Sequence, residues 1–397
     1  MSAPLSGITV IDLTRILSGP HCTRILADLG ARVIKCEPPR GDSTRNFAPH
    51  IQRPSTKGTA SSYFAQVNAG KVSLELDLSE GSEAARRDRE ILERLLDGAD
   101  VLVENFRPGV IARLGFGWER LHAKFPRLIM CSISGFGQYG PLSKLGAVDT
   151  IIQALSGMMS VTSTKPAGEP TRCGVSVSDI LSGVYAANGI QAALLARERG
   201  LNGGQGSYVD IAMLDCSVAA SQVQLGSWGA TGKDPLPIGN KNPVVSPFDN
   251  FRCKDGTRLV IACMKQSEFE VLARLIGVEH ILEDTRFRNN NSRVVHGDDL
   301  SNALERGLAS RTAEEWLPVL RKAGLTCAPV NSPSAVFRDP QVNARNMALR
   351  SRDGKFVIAG NPIKFDWVDD ITVRENPPPL DQGREKIIGD LGIRSKL

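Results

Sequence analysis

Short apolar runs alternate along the first half of the chain with longer segments whose apolar residues recur every three or four positions. Runs at 8–13, 32–35, 101–103 and 128–133 are typical of buried strands, and the segments between them are typical of helices. Strands that alternate with helices form parallel βαβ units. The pattern therefore predicts an α/β fold with a Rossmann-like doubly wound large domain, whose last strand is expected at 208–213.

Other segments of this region refine the prediction. Residues 72–78 alternate apolar and polar side chains as a half-buried strand does, and a helix is expected over 79–96. The turn after the first strand contains Gly19 and Pro20 but lacks the Gly-x-Gly-x-x-Gly fingerprint, so dinucleotide binding is disfavoured. Residues 37–48 are rich in proline, glycine and charge and are expected to form a surface loop.

The second half of the chain predicts a smaller α+β domain. Residues 226–242 are rich in Gly, Pro, Lys and Asn and indicate a loop or linker. A hairpin with an Asp-Gly turn, two helices and a late strand are expected at 248–253 with 258–262, at 267–276, at 313–321 and at 363–365. The expected organisation is a large domain (1–199), a linker (200–224), a small domain (225–329), a return linker (330–352) and a C-terminal part rejoining the large domain (353–397).

Composition narrows the class of protein. A chain of 397 residues suggests two domains, and a net charge of +5 without a Lys/Arg block argues against a nucleic-acid-binding protein. No window is apolar enough for a membrane span, no signal peptide is evident, and the eight cysteines are scattered. We therefore expect a cytoplasmic protein, or one from another reducing compartment, without disulfides. Neither a zinc-binding histidine pair nor a Gly-x-Ser-x-Gly elbow is present.

Asp179 stands at the start of a long apolar helical segment that is crowded with small residues and ends near Gly200. The positive end of a helix would keep this carboxylate ionised where a ligand could reach it. Taken alone, an aspartate at this position is most simply explained as an N-cap of the helix. The motifs described next favour a catalytic role for Asp179 instead.

Several motifs occur in the order found in the family III CoA transferases, the formyl-CoA and carnitine-CoA transferase (CaiB/BaiF) group, which the chain resembles over nearly its whole length. The matching segments are 4–14, 18–20, 29–35, 41–45, Asn68 with Lys71, 103–109, 134–137, 140–141, 329–331, 339–340 and 362–365. The pattern is most similar to that of dicarboxylate CoA transferases. The resemblance implies that the large domain binds CoA.

The resemblance also implies a role for Asp179, which occupies the place of the family's nucleophile. Asp179 would attack an acyl-CoA to give a mixed anhydride, then an aspartyl-CoA thioester from which CoA passes to a carboxylic acid. Neither a permanent cofactor nor a metal is expected, because CoA and acyl-CoA are substrates. Backbone donors for the oxyanion and contacts to substrate are expected at Ser18, Gly19, Gly135, Phe136 and Gly137, although ordinary turn geometry also explains the glycines.

Matched positions suggest the CoA contacts. Asn105 would read adenine or a backbone group, Phe106 would stack on adenine, and Lys71 and Arg113 would meet phosphates. Core packing for Phe106 and a solvated surface charge for the two cations are the alternatives. The family's arginine is replaced by Pro38, so Arg40 or Arg45 would substitute for it.

Two other activities remain open. The α-methylacyl-CoA racemases share the fold and use a Gly-His-Asp motif, but Val148 stands where their histidine would be and Lys265 falls near their glutamate. Because Val148 cannot carry a proton, CoA transfer is favoured over racemisation or epimerisation, with His50 and His122 as other candidate bases. A non-catalytic CoA-binding protein is the third possibility, since Ser207 replaces a frequent glutamine.

The acceptor and the assembly are also predicted from the resemblance. Arg15 is expected to bind the distal carboxylate of a short dicarboxylic acid, unless it is a structural, salt-bridged arginine. Oxalate is disfavoured, because residues 239–243 replace the glycine run of formyl-CoA transferases. The family forms interlocked homodimers, and we expect the same here, with Asp215 and Cys216 near the partner chain. Neither nucleic acid nor membrane is an expected partner, and the sequence names neither donor nor acceptor.

Overall fold

A computed structural model describes residues 2–53, 58–79, 81–164 and 168–392. The chain divides into two compact units. Unit 1 contains residues 1–158, 172–229 and 340–397, and unit 2 contains residues 159–171 and 230–339. Within the described ranges, no helix is both long enough and apolar enough to cross a bilayer. The cysteines are free thiols.

In chain order the strands are β1 (Thr9–Asp12), β2 (Arg32–Glu37), β3 (His50–Arg53), β4 (Gly58–Ser61), β5 (Val72–Glu75), β6 (Val101–Glu104), β7 (Ile129–Ser134), β8 (Tyr208–Ala212), β9 (Phe248–Arg252), β10 (Arg258–Ala262), β11 (Thr326–Pro329), β12 (Ala348–Arg350) and β13 (Val357–Ala359). The helices are α1 (Ser18–Asp28), α2 (Ser62–Asn68), α3 (Glu83–Asp97), α4 (Val110–Arg113), α5 (Trp118–Lys124), α6 (Asp149–Leu155), α7 (Val177–Glu198), α8 (Met213–Ala220), α9 (Gln222–Thr231), α10 (Gln266–Leu275), α11 (Asn290–Val295), α12 (Gly297–Leu308), α13 (Ala313–Lys322), α14 (Pro333–Val336), α15 (Pro340–Ala344) and α16 (Arg384–Asp390). Short 3₁₀ turns lie at Ser43–Asn46, Glu279–Leu282 and Thr285–Phe287.

Unit 1 is built on a six-stranded sheet of order β5-β2-β1-β6-β7-β8, in which all neighbouring strands are parallel. Counted within the sheet, this is the 3-2-1-4-5-6 order of a doubly wound nucleotide-binding fold, and the order reverses between β1 and β6. The predicted parallel α/β architecture is confirmed. The reversal leaves a crevice at the carboxyl ends of β1 and β6, where ligands bind in open sheets of this kind.

Alternate residues of each central strand face opposite sides of the sheet, so each face buries its own apolar cluster. Val10, Val101 and Val103 pack with α1 and α7 on one face. Ile11, Leu102 and Met130 pack with α3, α5 and α16 on the other. The two faces therefore carry separate helical layers, and α1 and α7 share one layer.

The segment before α16 covers the edge strand β5. The backbone N–H of Gly383 donates to the Ser73 carbonyl at 2.8 Å, and the Asp381 carboxylate accepts from the Glu75 backbone at 2.8 Å. Further back, the buried Arg374 pairs with Asp28 of α1. The C-terminal part of the chain is therefore an integral part of unit 1, and it protects a strand edge that would otherwise be open to other chains.

Unit 2 has an antiparallel sheet of order β11-β10-β9, with α10, α12 and α13 packed on it. The predicted hairpin is present. The Asp255 carboxylate accepts from the Thr257 backbone at 3.2 Å, and Gly256 takes the left-handed conformation at φ +80°. Phe251, Phe269 and Trp316 are central to the buried cluster of this unit.

Some predicted boundaries differ from the structure. Residues 363–365 are not a strand, because the Asn361 side chain takes the Ile363 N–H at 3.1 Å in a local turn. Helix α9 extends into 226–242, where a loop was expected. The expected linkers also hold regular structure: 200–224 contains β8 and α8, and 330–352 contains α14, α15 and β12. β8 belongs to the central sheet because its apolar residues complete the face that α7 covers.

Candidate active site

Three strands of the central sheet end in a side chain that holds the loop after it. The Asp12 carboxylate accepts from the Thr14 backbone at 2.8 Å, and the Glu104 carboxylate accepts from the Phe106 backbone at 2.8 Å. The Ser134 hydroxyl accepts from the Gly137 backbone at 3.0 Å. Such side-chain-to-backbone bonds fix turns. The loops at the carboxyl ends of β1, β6 and β7 are therefore ordered before any ligand binds.

The loop between β1 and α1 is held most firmly. Lys35 Nζ donates to the Thr14 carbonyl at 2.8 Å, and the Asn105 amide makes two bonds of 2.8 Å with the Arg15 backbone, one to N–H and one to the carbonyl. Asp42 accepts from the Ile16 backbone at 3.3 Å. Ile16 has a φ of +69°, which β-branched residues rarely adopt. The surrounding side chains therefore stabilise a strained turn at the crevice.

A buried ion pair lies beneath this loop. Lys71 Nζ is 3.0 Å from the Asp12 carboxylate, and both side chains are fully buried. Burial alone would raise the pKa of Asp12, but the ammonium groups of Lys71 and Lys35 lower it to about 2. Nζ of Lys71 also donates to the Pro20 carbonyl, the Thr23 hydroxyl and the Asn68 amide oxygen at 2.7–3.0 Å. Four oxygens surround an ammonium with three protons, so the predicted phosphate contact of Lys71 has no geometric support.

Asp179 lies in the first turn of α7, half-buried, and its carboxyl group hydrogen-bonds to both the side chain and the backbone of Ser18. Ser18 opens α1, whose N-cap residue, Leu17, has no polar side chain to cap it. One turn along α7, a Cβ on Gly183 would lie 2.7 Å from the Ser18 carbonyl oxygen. Glycine there lets α1 approach α7, so that two helix N-termini meet at one carboxyl group.

The electrostatics of Asp179 differ from the sequence-based expectation. Burial, and after it the charge of the Asp149 carboxylate, raise the pKa of Asp179 to about 6 against the hydrogen bonds from Ser18, which lower it. Helix N-termini alone would have given a low pKa. Asp179 remains largely ionised at neutral pH, but it is more basic than an ordinary carboxylate.

Asp149 follows Val148, at the position of the aspartate in the Gly-His-Asp motif of the racemases, and the sequence analysis gave it no role. It is buried at the start of α6, and its carboxylate accepts from the Ser178 backbone at 2.9 Å and from the Gln153 amide at 2.6 Å. It thereby caps the helix that carries Asp179. An aspartate at the start of a helix is too common to have signalled this role.

Tyr63 and His21 were also missed. Burial raises the pKa of Tyr63 to about 12, with further contributions from Asp179 and Asp42, so its hydroxyl lies within electrostatic range of the candidate nucleophile. Burial lowers the pKa of His21 to about 4, aided by Arg24 and Lys71. His21 is therefore neutral at physiological pH. Neither residue stands in a motif that would have identified it.

The structure explains in another way why glycine stands at the three positions predicted to face substrate. A Cβ on Gly19 would lie 2.3 Å from Thr14 Cβ, and a Cβ on Gly135 would lie 2.2 Å from Ala147 Cβ. Gly137 has a φ of +81°, and its N–H is already donated to Ser134. Gly137 is therefore not a free oxyanion donor. Phe136, between two of these glycines, is half-buried.

The predicted CoA contacts fall into two groups. The guanidinium carbon of Arg15 lies 5.4 Å from the centre of the Phe106 ring, and the side chain of Asn105 holds the backbone of Arg15. Phe106 therefore has Arg15 against one ring face and the apolar core against its other contacts. Arg40 and Arg113 are exposed and extend into solvent.

Arg45 is not the free substitute that the sequence suggested. Its guanidinium makes two hydrogen bonds of 2.6–2.7 Å with the Glu37 carboxylate. It also lies 3.9 Å from the centre of the Phe64 ring. The structure thus brings Arg15, Ser18 and Asn105 together at the crevice, with Phe106 beside Arg15 and Asp179 beside Ser18.

The model of CoA-transferase family III matches residues 5–384. The chain belongs to CoA-transferase family III. It is 44% identical over 381 residues to acetyl-CoA:oxalate CoA-transferase of Acetobacter aceti, which covers 96% of this chain and 93% of that one. It is 35% identical to succinate–glutarate CoA-transferase of Agrobacterium fabrum, covering 89% and 87%. A crystal structure of a CAIB/BAIF family protein from Brucella suis superposes with a TM-score of 0.90 at 35% identity, covering 98% and 100%.

This family III CoA-transferase is an enzyme that transfers CoA between acyl-CoA and carboxylic acids. The two histidines considered as racemase bases, His50 and His122, do not replace the missing base at Val148, a side chain that is 63% exposed. His122 stacks on Trp118 at 4.5 Å, on the sheet face opposite to the one that carries α7. His50 is exposed in β3, and Lys265 begins α10 in unit 2. Among the described residues, no three His, Cys, Asp or Glu side chains are grouped to hold a metal ion.

Proposed function

We propose that Asp179 is the covalent nucleophile of this family III CoA-transferase. The observation that carries the proposal is its carboxyl group, half-buried at the meeting of two helix N-termini, with a pKa raised by burial to about 6. A carboxylate with this pKa is about nine-tenths ionised at pH 7. Its higher basicity favours attack on a carbonyl carbon compared with an ordinary aspartate.

The proposed steps exchange equivalent bonds. The Asp179 carboxylate attacks the thioester carbonyl of the donor, the C–S bond breaks, and a mixed anhydride and CoA thiolate form. The thiolate attacks the aspartyl carbonyl and releases the donor acid, leaving an aspartyl-CoA thioester. The acceptor carboxylate attacks this thioester and displaces the thiolate, which then takes the acyl group of the acceptor and frees Asp179. Splitting the exchange in this way avoids any single high barrier.

The surrounding groups have defined tasks in these steps. The Ser18 N–H and hydroxyl bind the Asp179 carboxyl in the resting enzyme and orient it. The N-termini of α1 and α7 favour the negative oxygen that develops in each tetrahedral intermediate. The N–H groups of Ser18 and Gly19 lie in the first turn of α1, where helical donors have no intrahelical acceptor.

We infer that CoA lies in the crevice between β1 and β6. Phe106 is the ring proposed to stack on adenine, and the neighbouring Asn105 fixes the loop after β1 through the Arg15 backbone. The exposed Arg40 and Arg113 are the cations proposed for the phosphates.

Chemical trapping tests the nucleophile. Acyl-CoA is added without acceptor, followed by hydroxylamine or borohydride, and the peptide containing Asp179 is analysed by mass spectrometry. We expect a hydroxamate or a reduced side chain at Asp179, and none in Asp179→Asn. A racemase would instead exchange the α-hydrogen of its substrate for deuterium without an adduct. A non-catalytic CoA-binding protein would bind CoA and give neither signal, and either result would overturn the proposal.

We further propose that the acceptor is a short dicarboxylate. The names of two relatives contain oxalate and glutarate, so the sequence argument against oxalate loses its force. Arg15 is the cation proposed for the distal carboxylate. In a panel containing oxalate, succinate, glutarate and itaconate, we expect Arg15→Ala to raise the KM of the preferred diacid at least about tenfold, since a charged hydrogen bond is worth about 1.5–3 kcal/mol. Arg87→Ala, which removes an exposed arginine of α3, serves as the control, and a KM for the diacid unchanged in Arg15→Ala would reject this role.

A homodimer is proposed as the working form. Helix α9 has no buried residue in the described chain, and it exposes Val223, Leu225 and Trp228. On α7, Leu195 is likewise 59% exposed. Large apolar side chains that remain exposed in a single chain are typical of an interface. Light scattering at micromolar concentration is expected to give twice the 42.8 kDa of one chain, and Trp228→Glu is expected to weaken the assembly. A monomer that retains full activity would contradict the dimer.

A further inference from the structure

A row of three polar residues crosses the central sheet at its carboxyl edge. Glu104 of β6 is in register with Ser132 of β7, and Ser132 is in register with Asp210 of β8. Register neighbours point to the same side of a sheet and lie roughly 5 Å apart. Glu104 and Ser132 are 2% and 0% exposed, and Asp210 is half-buried. The row lies on the face opposite to α7 and Asp179.

Three buried polar atoms along this row have no hydrogen-bond partner in the part of the chain that the structure describes. They are the Ser132 hydroxyl oxygen, Asp210 Oδ1 and Gln138 Nε2. Such atoms are costly to leave unpaired, and proteins usually satisfy them with ordered water. Ser132 is in register with Asp210, and the Gln138 backbone bonds to Asp210, so the three residues are neighbours. Together their unpartnered atoms provide two donors and one acceptor, a set that one water molecule can satisfy.

The two carboxyl groups of the row also hold the loops of the crevice. Glu104 Oε2 accepts from the Phe106 backbone at 2.8 Å, so it fixes the loop after β6. Asp210 Oδ2 accepts from the Gln138 backbone at 3.0 Å, so it fixes the loop after β7. Each carboxyl group therefore uses one oxygen to accept from the loop backbone. Its second oxygen remains available for hydrogen bonds within the row.

Acidic groups surround the row, and no cation of the described residues is paired with it. Tyr208 and Cys131 lie close enough to interact electrostatically with Glu104 and Asp210, and Asp215 of α8 acts on Asp210. On α5, the unpartnered Nδ1 of His122 belongs to a ring stacked on Trp118, which in turn contacts Tyr208 at 5.6 Å. Within the described ranges, no salt bridge involves Glu104 or Asp210.

Ionisation of both Glu104 and Asp210 is unfavourable, because the row would then carry two negative charges without a paired cation. Burial, with a smaller contribution from the charge of Asp210, raises the pKa of Glu104 to about 7, against the lowering effect of the Phe106 N–H and of the nearby Ser132 hydroxyl. Burial likewise raises the pKa of Asp210. A single proton on the pair removes the repulsion and supplies the hydrogen bond that the Ser132 oxygen lacks.

We infer that Glu104 and Asp210 share one proton through Ser132 and a buried water, and that this proton makes Glu104 a positioning residue for the loop after β6. Protonated Glu104 donates to the Ser132 oxygen, and the Ser132 hydroxyl donates to the water. The water also accepts from Gln138 Nε2 and donates to Asp210 Oδ1. Every unpartnered atom of the row is then satisfied.

The consequence for the enzyme rests on the proposed function, because the loop after β6 carries Asn105 and Phe106 of the proposed CoA site. Loss of the proton places a second negative charge on the row without a counterion, and the Ser132 hydroxyl then donates to the ionised Glu104 instead of to the water. The resulting repulsion displaces Glu104 and the loop that it holds, and acyl-CoA binds more weakly. The affinity for acyl-CoA should therefore fall as the pH rises through about 7, independently of the ionisation of Asp179.

Infrared difference spectroscopy of the ligand-free enzyme tests the shared proton without reference to CoA. We expect the wild type to show the carbonyl stretch of a buried carboxylic acid at pH 6.5 that is lost by pH 8.5. This band should be missing in Glu104→Gln and should titrate at lower pH in Asp210→Asn. The exposed Glu119→Gln is the matched control and should keep the band. Identical spectra for wild type and Glu104→Gln, or an unshifted band in folded Asp210→Asn, would overturn the inference.

The positioning role is tested by the pH dependence of KM for acyl-CoA. Relative to Glu104→Gln, the wild-type KM should rise about tenfold between pH 6 and pH 8, as the protonated fraction of a group titrating near 7 falls about tenfold. Taking this ratio cancels the titration of the substrate and of Asp179. A flat ratio with the infrared band present would reject the positioning role alone. Absence of CoA transfer with the band present would reject the proposed function but leave the shared proton intact.

Discussion

Two carboxyl groups in unit 1 bind the same helix, α1, and have opposite properties. Asp12 accepts from Thr23 at 2.7 Å and has a pKa of about 2, whereas Asp179 bonds to Ser18 and has a pKa of about 6. Burial raises both values, so burial does not explain the difference. Lys71 and Lys35 act on Asp12, whereas another carboxylate, Asp149, acts on Asp179.

The comparison distinguishes an acid that stabilises the fold, Asp12, from the acid that is proposed to react, Asp179. An acid whose charge is matched by buried ammonium groups is a poor nucleophile, because its oxygens already accept from the Lys71 ammonium and from three further hydrogen-bond donors. An acid that lacks a cation and faces a like charge is more basic and reactive. Environments that shift the pKa values of two acids apart are a guide to their roles. The following changes test this division, from the largest expected effect to the smallest.

Removing the nucleophilic oxygen has the largest expected effect. Asp179→Asn should lower kcat for CoA transfer by at least about 10³-fold, because loss of a covalent nucleophile removes the whole reaction route. The introduced amide keeps an oxygen to accept from Ser18, so the thermal unfolding midpoint should change little. Freshly purified protein avoids activity regained by deamidation. Near-normal turnover in a variant shown by mass spectrometry to remain an amide would refute the assignment.

Removing the cation from the scaffold pair should affect stability instead of chemistry. Lys71→Met leaves the Asp12 carboxylate buried without its ion-pair partner, and such a change costs about 3–5 kcal/mol. Urea unfolding should show this loss. The depressed pKa of Asp12 implies a stability contribution that is present above pH 4 and lost as the pH falls toward about 2, so the variant and wild type should converge in acid. A selective increase in KM for CoA in a stable Lys71→Met would restore the predicted phosphate contact.

Separating α1 from α7 should disturb only the reactive acid. In Gly183→Ala the new Cβ meets the Ser18 carbonyl oxygen at 2.7 Å, so α1 must move away from Asp179. Overpacking of this kind costs about 1–3 kcal/mol, and activity should fall as the Ser18–Asp179 bond lengthens. Gly389→Ala, in the open on α16, is the matched control and should be silent. Equal behaviour of the two variants would show that the close approach of the helices is unimportant.

Removing the like charge should shift a pH profile. Asp149→Asn keeps an oxygen for the Ser178 N–H but takes away the negative charge that raises the pKa of Asp179. The acidic limb of kcat/KM reports the ionisation of the free enzyme, and it should move toward lower pH by about one unit. Rates measured from pH 4.5 to 8 test this. A limb that stays in place or moves upward would remove Asp149 from the account.

The parallel sheet could be predicted from the sequence because buried parallel strands are continuous apolar runs, as at Val101–Glu104 and Ile129–Ser134. The position of Asp179 at the start of a helix was equally readable. The apolar pattern predicted a strand wrongly at residues 363–365, where the Asn361 side chain takes the backbone N–H of Ile363 in place of a neighbouring strand. The pattern also failed at α9, whose exposed apolar residues carry no helical stripe.

The partners of each charged group were beyond the sequence. Lys71 is close to Asp12 only because β5 and β1 flank β2, so an apparent phosphate ligand is a buried structural cation. Arg45 is similarly engaged by Glu37. Asp149, separated from Asp179 by thirty positions of sequence, acts on it through space. The sequence shows which residues are charged, but the tertiary fold determines which of them form ion pairs. Charged side chains without an ion-pair partner are the ones that are free to react or to bind substrate.

Oxygen-18 transfer is the most direct test of Asp179 as a covalent nucleophile. An acceptor diacid labelled in its carboxylates is turned over once with acyl-CoA, and the peptides are analysed by tandem mass spectrometry. In the proposed steps the acceptor leaves one of its oxygens on the aspartyl carbonyl, so Asp179 should gain one oxygen-18 atom while Asp149 and Asp12 gain none. The donor acid released in the next turnover should carry part of that label. Formation of product with an unlabelled Asp179 would contradict the central claim.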